Sequence, residues 1–132
     1  MRKGGAEAQP EGIRSLCQLL MRTKEVPENK IIFITGSTRF KESYETHAFT
    51  FTLKGYIVLI PSVYQHADGL IFDKDTKRLL KEMDKPKILL ADEIFVINPE
   101  GYIGHSTAED IQYAQSLGKK ITYMEVPKAK AV

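Results

Sequence analysis

Residues 93–114 read EIFVINPEGYIGHSTAEDIQYA, and the reading of this stretch decides the fold. Glu93 opens an apolar run that ends at Ile97. A loop containing Gly101 and Gly104 follows, and then a helical pattern that closes at Gly118. The order is strand, glycine-containing loop, helix. Ser106 has the chemistry of a helix cap, and Glu109 three residues later completes capping-box spacing. The first turn gathers free backbone N–H groups, the hydroxyls of Ser106 and Thr107, and the carboxylates of Glu109 and Asp110. Two acids here can simply complement the helix dipole. They can also mark an anion-binding helix start with a carboxylate aimed into a cleft.

The same alternation runs upstream. Lys30 to Thr35 (KIIFIT) is a β-branched run of the kind buried on both faces of a parallel sheet. Gly36-Ser37-Thr38-Arg39 follows at once, then a helix with Phe40, Tyr44, Ala48 and Phe51 on one face, closed by Leu53-Lys54-Gly55. Tyr56 to Ile60 is a second strand, stopped by Pro61. A loop to Leu70 holds Tyr64, His66 and Asp68. Phe72 to Met83 reads as a charged helix with Leu79, Leu80 and Met83 inward. Asp84 then caps a short helix, Lys85 to Ala91, where Pro86 is tolerated in the first turn. Downstream, Lys120 to Met124 is the fourth strand.

The expected architecture is a flavodoxin- or Rossmann-like three-layer α/β fold. Its four parallel strands, near 30–35, 56–60, 93–98 and 120–124, run in the order 2-1-3-4 with helices on both faces. That order sets the switch point between strands one and three, where ligands bind beyond the strand C-termini. The loops arriving there are GSTR and NPEGYIGHST, the stretches richest in small and hydroxyl residues, and they point to a small-molecule site. Residues 1–29 are read as a lead plus an accessory amphipathic helix over Gly12 to Lys24, with Ile13, Leu16, Cys17 and Leu20 in one stripe. Residues 30–126 are the α/β domain, and 127–132 a basic tail.

Composition narrows the function classes. The chain has 132 residues, enough for one domain with a real core, and 42% of them are hydrophobic. Nineteen basic residues against seventeen acidic ones leave a formal charge of +2, no footprint for a nucleic acid polymer. Cys17 is the single cysteine, so no internal disulfide or cysteine metal cluster can form. No apolar run reaches membrane-spanning length and MRKGGAEAQPEG has no h-region, so a cytoplasmic location is expected.

Gly36-Ser37-Thr38-Arg39 offers N–H groups, two hydroxyls and a guanidinium at a helix start, which suits an anion such as phosphate. It equally suits an ordinary strand-to-helix turn with Ser37 or Thr38 as cap. Asp110 shares a helix face with Ala114 and Leu117, which turns its carboxylate toward the cleft. Glu109, about 100° round the helix, is placed as the partner of the cap. Asp84 lies at the same edge, as a plain cap or as the second of two carboxylates suited to cleaving a glycosidic bond. His66 and His105 lack metal-ligand spacing and read as loop or surface histidines.

These residues resemble the nucleoside 2-deoxyribosyltransferase-like superfamily, over about Lys30 to Met124. Gly36-Ser37-Thr38-Arg39 resembles the GS-x-R opening of its 2′-deoxynucleoside 5′-phosphate N-hydrolase branch, where that loop contacts the nucleotide. Asp84-x-x-x-Ile88-x-x-Ala91-Asp92 matches the family's D-x-x-x-I/L-x-x-A-D lead into strand three. Ser106-Thr107-Ala108-Glu109-Asp110-Ile111-Gln112-Tyr113-Ala114 resembles G-T-A-x-E-I-G-Y-A, whose Glu is the nucleophile. Here that position carries Asp110, with a glutamate displaced to Glu109, and Gly104 stands where an acid or phosphate-binding serine often lies.

The resemblance implies cleavage, by hydrolysis or transfer, of the N-glycosidic bond of a nucleoside or nucleoside 5′-monophosphate. Asp110 would be the nucleophile and Asp84 would orient the sugar or assist proton transfer, with Glu109 the neighbouring carboxylate. Gly36, Ser37, Thr38, Arg39, Gly104 and Ser106 would form the substrate-binding set. No metal or organic cofactor is implied, and a homodimer or higher homo-oligomer is. The competing expectation is a non-catalytic nucleotide-binding or sensor module of the same fold.

Overall fold

The computed structural model describes residues 29–127. The expected helix at Gly12 to Lys24 and the end of the basic tail lie outside the described residues. Within them the strands are β1 (Ile31–Gly36), β2 (Ile57–Leu59), β3 (Glu93–Ile97) and β4 (Lys120–Tyr123). The helices are α1 (Lys41–Leu53), α2 (Lys74–Glu82), α3 (Asp84–Leu90) and α4 (His105–Ser116). All strand pairs are parallel, as the alternation of strand and helix requires, and the order is β2-β1-β3-β4.

Alternate side chains of the central strands go to opposite faces. Ile32 and Ile34 of β1 join Phe95 and Ile97 of β3 under Tyr44 of α1. Phe33 and Ile94 face the other way and pack with Ile88, Ala91 and Ala114 beneath α3 and α4. Thr35 shares its side with Phe33, so the last side chain of β1 on that face is a hydroxyl directed at α4. On α4 the buried positions are Thr107, Asp110, Ile111 and Ala114, one helical stripe that happens to contain a carboxylate.

Polar ties fix the sheet ends. At the N-terminal edge the Ile31 N–H donates to the Asp92 carboxylate at 2.8 Å. Lys119 donates to the carbonyls of Leu89 and Ala91, closing α3 at the end where cations are favoured. At the C-terminal edge Asn98 and Glu125 exchange two hydrogen bonds, 2.9 and 2.8 Å long. Gly36 pairs with Ile97 across β1 and β3. A Cβ at Gly36 would lie 2.8 Å from the Ile97 carbonyl oxygen, so only glycine allows the two strands to end side by side. Among the described residues no helix is long and apolar enough to cross a membrane.

Two expectations about α2 and α3 are corrected. Leu79 is 60% exposed, Met83 is 52% exposed and borders the cavity described below, and α2 buries no residue. Asp84 is not a cap: Met83 is already helical where α3 begins, so the chain continues from α2 without the extended residue that a capping side chain needs.

Candidate active site

The loops after β1 and β3 open at one edge of the sheet and border a cavity of about 670 Å³. Gly36 to Arg39 form one side, Gly104 to Thr107 another, and α2 with the start of α3 a third. Every residue of the expected substrate-binding set lies on it, as do Asp84 and Asp110.

Asp110 is the buried acid of this cavity, 5% exposed. Its Oδ2 accepts from the Thr35 hydroxyl at 2.8 Å and its Oδ1 from Lys81 Nζ at 2.7 Å. The same ammonium donates to the Ser106 carbonyl at 2.7 Å and reaches Asp84 Oδ2 at 3.5 Å. The contacted oxygens of Asp84 and Asp110 are therefore no farther apart than those two distances combined.

The environments of the two acids differ. Burial first, then the Asp110 carboxylate, pushes the Asp84 carboxyl up to about 7, against a smaller opposing pull from Lys81. Tyr44 faces the same pair from α1. Burial and the two acids hold its phenol in the neutral form, and its hydroxyl donates to the Gly36 carbonyl at 2.6 Å. Asp84 is the acid of the pair that keeps its proton, and both oxygens of Asp110 are engaged by donors from Thr35 and Lys81.

The side of the cavity next to β1 is built from the loop that follows that strand. Ser37 Oγ accepts from the Arg39 N–H and from Arg39 Nε, 3.3 and 3.1 Å away. The Arg39 guanidinium lies 5.0 Å from the centre of the Tyr102 ring, within cation–π range. Thr38 Oγ1 is 2.7 Å from His66 Nδ1 and accepts from the His66 backbone N–H. Neither Ser37 nor Thr38 caps α1, whose cap position is Phe40. Tyr102 is carried on a loop shaped by Pro99–Gly101, where the Glu100 N–H is held by Glu125 Oε2 at 2.7 Å.

The capping box is not formed. The cap position of α4 is Gly104, Ala108 already hydrogen-bonds back to its carbonyl, and Ser106 lies inside the first turn. Freed from that role, Glu109 is half exposed, 4.0 Å from Lys81 and 3.8 Å from His105, and it does not border the cavity. The residues the sequence did not disclose are Thr35, Lys81, Tyr44, His66 and Tyr102. Thr35 alone left a signal, as the one hydroxyl ending an apolar strand at a ligand-binding edge. Among the described residues no group of three or more His, Cys, Asp or Glu is arranged to hold a metal. Protein-family models, curated proteins and solved structures give no significant match to the chain.

Proposed function

We propose that this cleft breaks the N-glycosidic bond of a nucleoside or nucleoside 5′-monophosphate, as the resemblance to the nucleoside 2-deoxyribosyltransferase-like superfamily implies. One observation carries the reading: two carboxyls, Asp110 and an Asp84 pushed up to about 7 by burial and by Asp110, border the same cavity of about 670 Å³ as the expected substrate-binding loops. An Asp110 oxygen attacks C1′ through an oxocarbenium-like transition state. The C1′–N bond breaks, and its electron pair goes to the base, which takes the proton of Asp84. Asp84, now ionised, deprotonates a water that attacks C1′ and frees Asp110, or a second base takes that place. Arg39, Ser37 and the α4 start around Ser106 receive the 5′ end. No cofactor takes part, and the working form is a cytoplasmic homodimer or larger homo-oligomer.

A second reading is favoured by one contact. Lys81 neutralises the carboxylate that must attack, as expected of a binding or sensor module that has lost its chemistry. Incubation with a panel of nucleosides and 5′-monophosphates, with free base read by chromatography, separates the two. Base release supports the enzyme; saturable binding without release from any member of the panel supports the sensor.

A further inference from the structure

Lys81 occupies a position that the proposed chemistry does not use. Its ammonium touches Oδ1 of Asp110, the Ser106 carbonyl and Asp84. A cation there opposes the reaction twice: it neutralises the attacking carboxylate, and it repels the positive charge that grows at C1′. The contact therefore belongs to a resting state. Thr35 holds the other oxygen of Asp110. The carboxylate thus keeps its orientation, and recovers its charge, when Lys81 leaves.

The helix that carries Lys81 is lightly held. No residue of α2 is buried, its cap bond runs locally from Thr76 to Asp73, and Arg78 pairs within the helix with Asp75 and Glu82. Among the described residues, every hydrogen bond and ion pair from α2 to parts of the chain beyond 73–84 comes from Lys81. Lys87, a neighbouring cation on the cavity, is held by the Ile60 carbonyl at 3.0 Å. Lys81 is one-third exposed and already touches the first turn of α4, so an anion arriving there meets its ammonium without displacing the fold.

We infer that Lys81 is a latch on Asp110 which an anionic 5′-phosphate draws off, so that phosphorylated substrates unmask the nucleophile and neutral nucleosides do not. The inference rests on the proposed glycosidic cleavage and makes Lys81 a specificity-determining residue for it. A phosphate competes well for the ammonium because it offers a full charge at an accessible site. A sugar hydroxyl does not, and leaves the ion pair in place.

Two experiments test it, the first independent of turnover. In a crystal structure with 2-deoxyribose 5-phosphate, Lys81 Nζ should contact the phosphate and stand beyond about 4 Å from Asp110, outside ion-pair reach. The Thr35–Asp110 bond should be kept. A bound phosphate with Lys81 still on Asp110, or no phosphate bound in the cavity, overturns the latch. In the second, Lys81→Met should raise turnover of the free nucleoside relative to its monophosphate by about tenfold, within the range usual for coupling between two sites. Lys81→Arg should keep the discrimination. Equal loss on both substrates in Lys81→Met overturns the latch. Absence of base release from the wild type with either substrate contradicts the cleavage reading instead, and the crystal structure still decides whether phosphate moves Lys81.

Discussion

Asp84 holds its proton up to about pH 7 because its carboxyl is mostly out of water and beside Asp110. As the general acid it should make base release fall as pH rises through about 7, and the rate profile on the best substrate measures this. The same shift acts on stability. The folded state binds this proton more tightly than the unfolded chain, so its contribution is fully present only below the unfolded value of 3.8 and is lost as pH rises from there through about 7. Asp84→Asn should therefore lose less stability between pH 4 and 8 than the wild type, by on the order of 2 kcal/mol after discounting for partial exposure. Urea unfolding at the two pH values checks it. Arg39→Ala should weaken monophosphate binding by roughly 1.5–3 kcal/mol, the range for hydrogen bonds to charged groups. It should leave the free nucleoside almost unaffected, and calorimetry with both ligands shows whether Arg39 meets the phosphate.

At the level of elements, the central strands were legible because a parallel sheet buries both faces and leaves apolar runs such as IIFI and IFVI. Helix starts were less legible. The pattern Ser106-x-x-Glu109 satisfies a capping box on paper, but Gly104 takes the extended cap conformation and winds Ser106 into the first turn. Asp84 fails as a cap for a related reason, since α2 runs into α3 through helical Met83. Asp110 was legible through its place on the stripe with Ala114. Lys81 was not, because a lysine among the charges of α2 looks like any solvated one. The join of β1 and β3 is testable by itself. Gly36→Ala places a methyl against the Ile97 backbone, and should cost about 1–3 kcal/mol, the usual range for overpacking. Denaturant unfolding that shows no loss would mean that the strand ends can separate.

For the whole molecule, α2 and α3 carry the exposed apolar side chains of Leu79, Pro86, Leu89 and Leu90. Exposed apolar side chains grouped on neighbouring helices are where an interaction face is expected. A second copy of the chain is the expected occupant: light scattering should report at least twice the 15.0 kDa of one chain, and Leu79→Glu should lower that mass. A monomer at micromolar concentration would contradict this. The central claim concerns which carboxylate does the chemistry, and base release by three forms of the protein tests it most directly. Asp110→Asn should keep ligand binding and lose turnover by about 10³-fold or more, some 4 kcal/mol of transition-state stabilisation. Glu109→Gln should stay within about threefold of the wild type, since its exposed ion pairs are worth under about 1 kcal/mol. Full cleavage by Asp110→Asn, with loss in Glu109→Gln, would contradict the account.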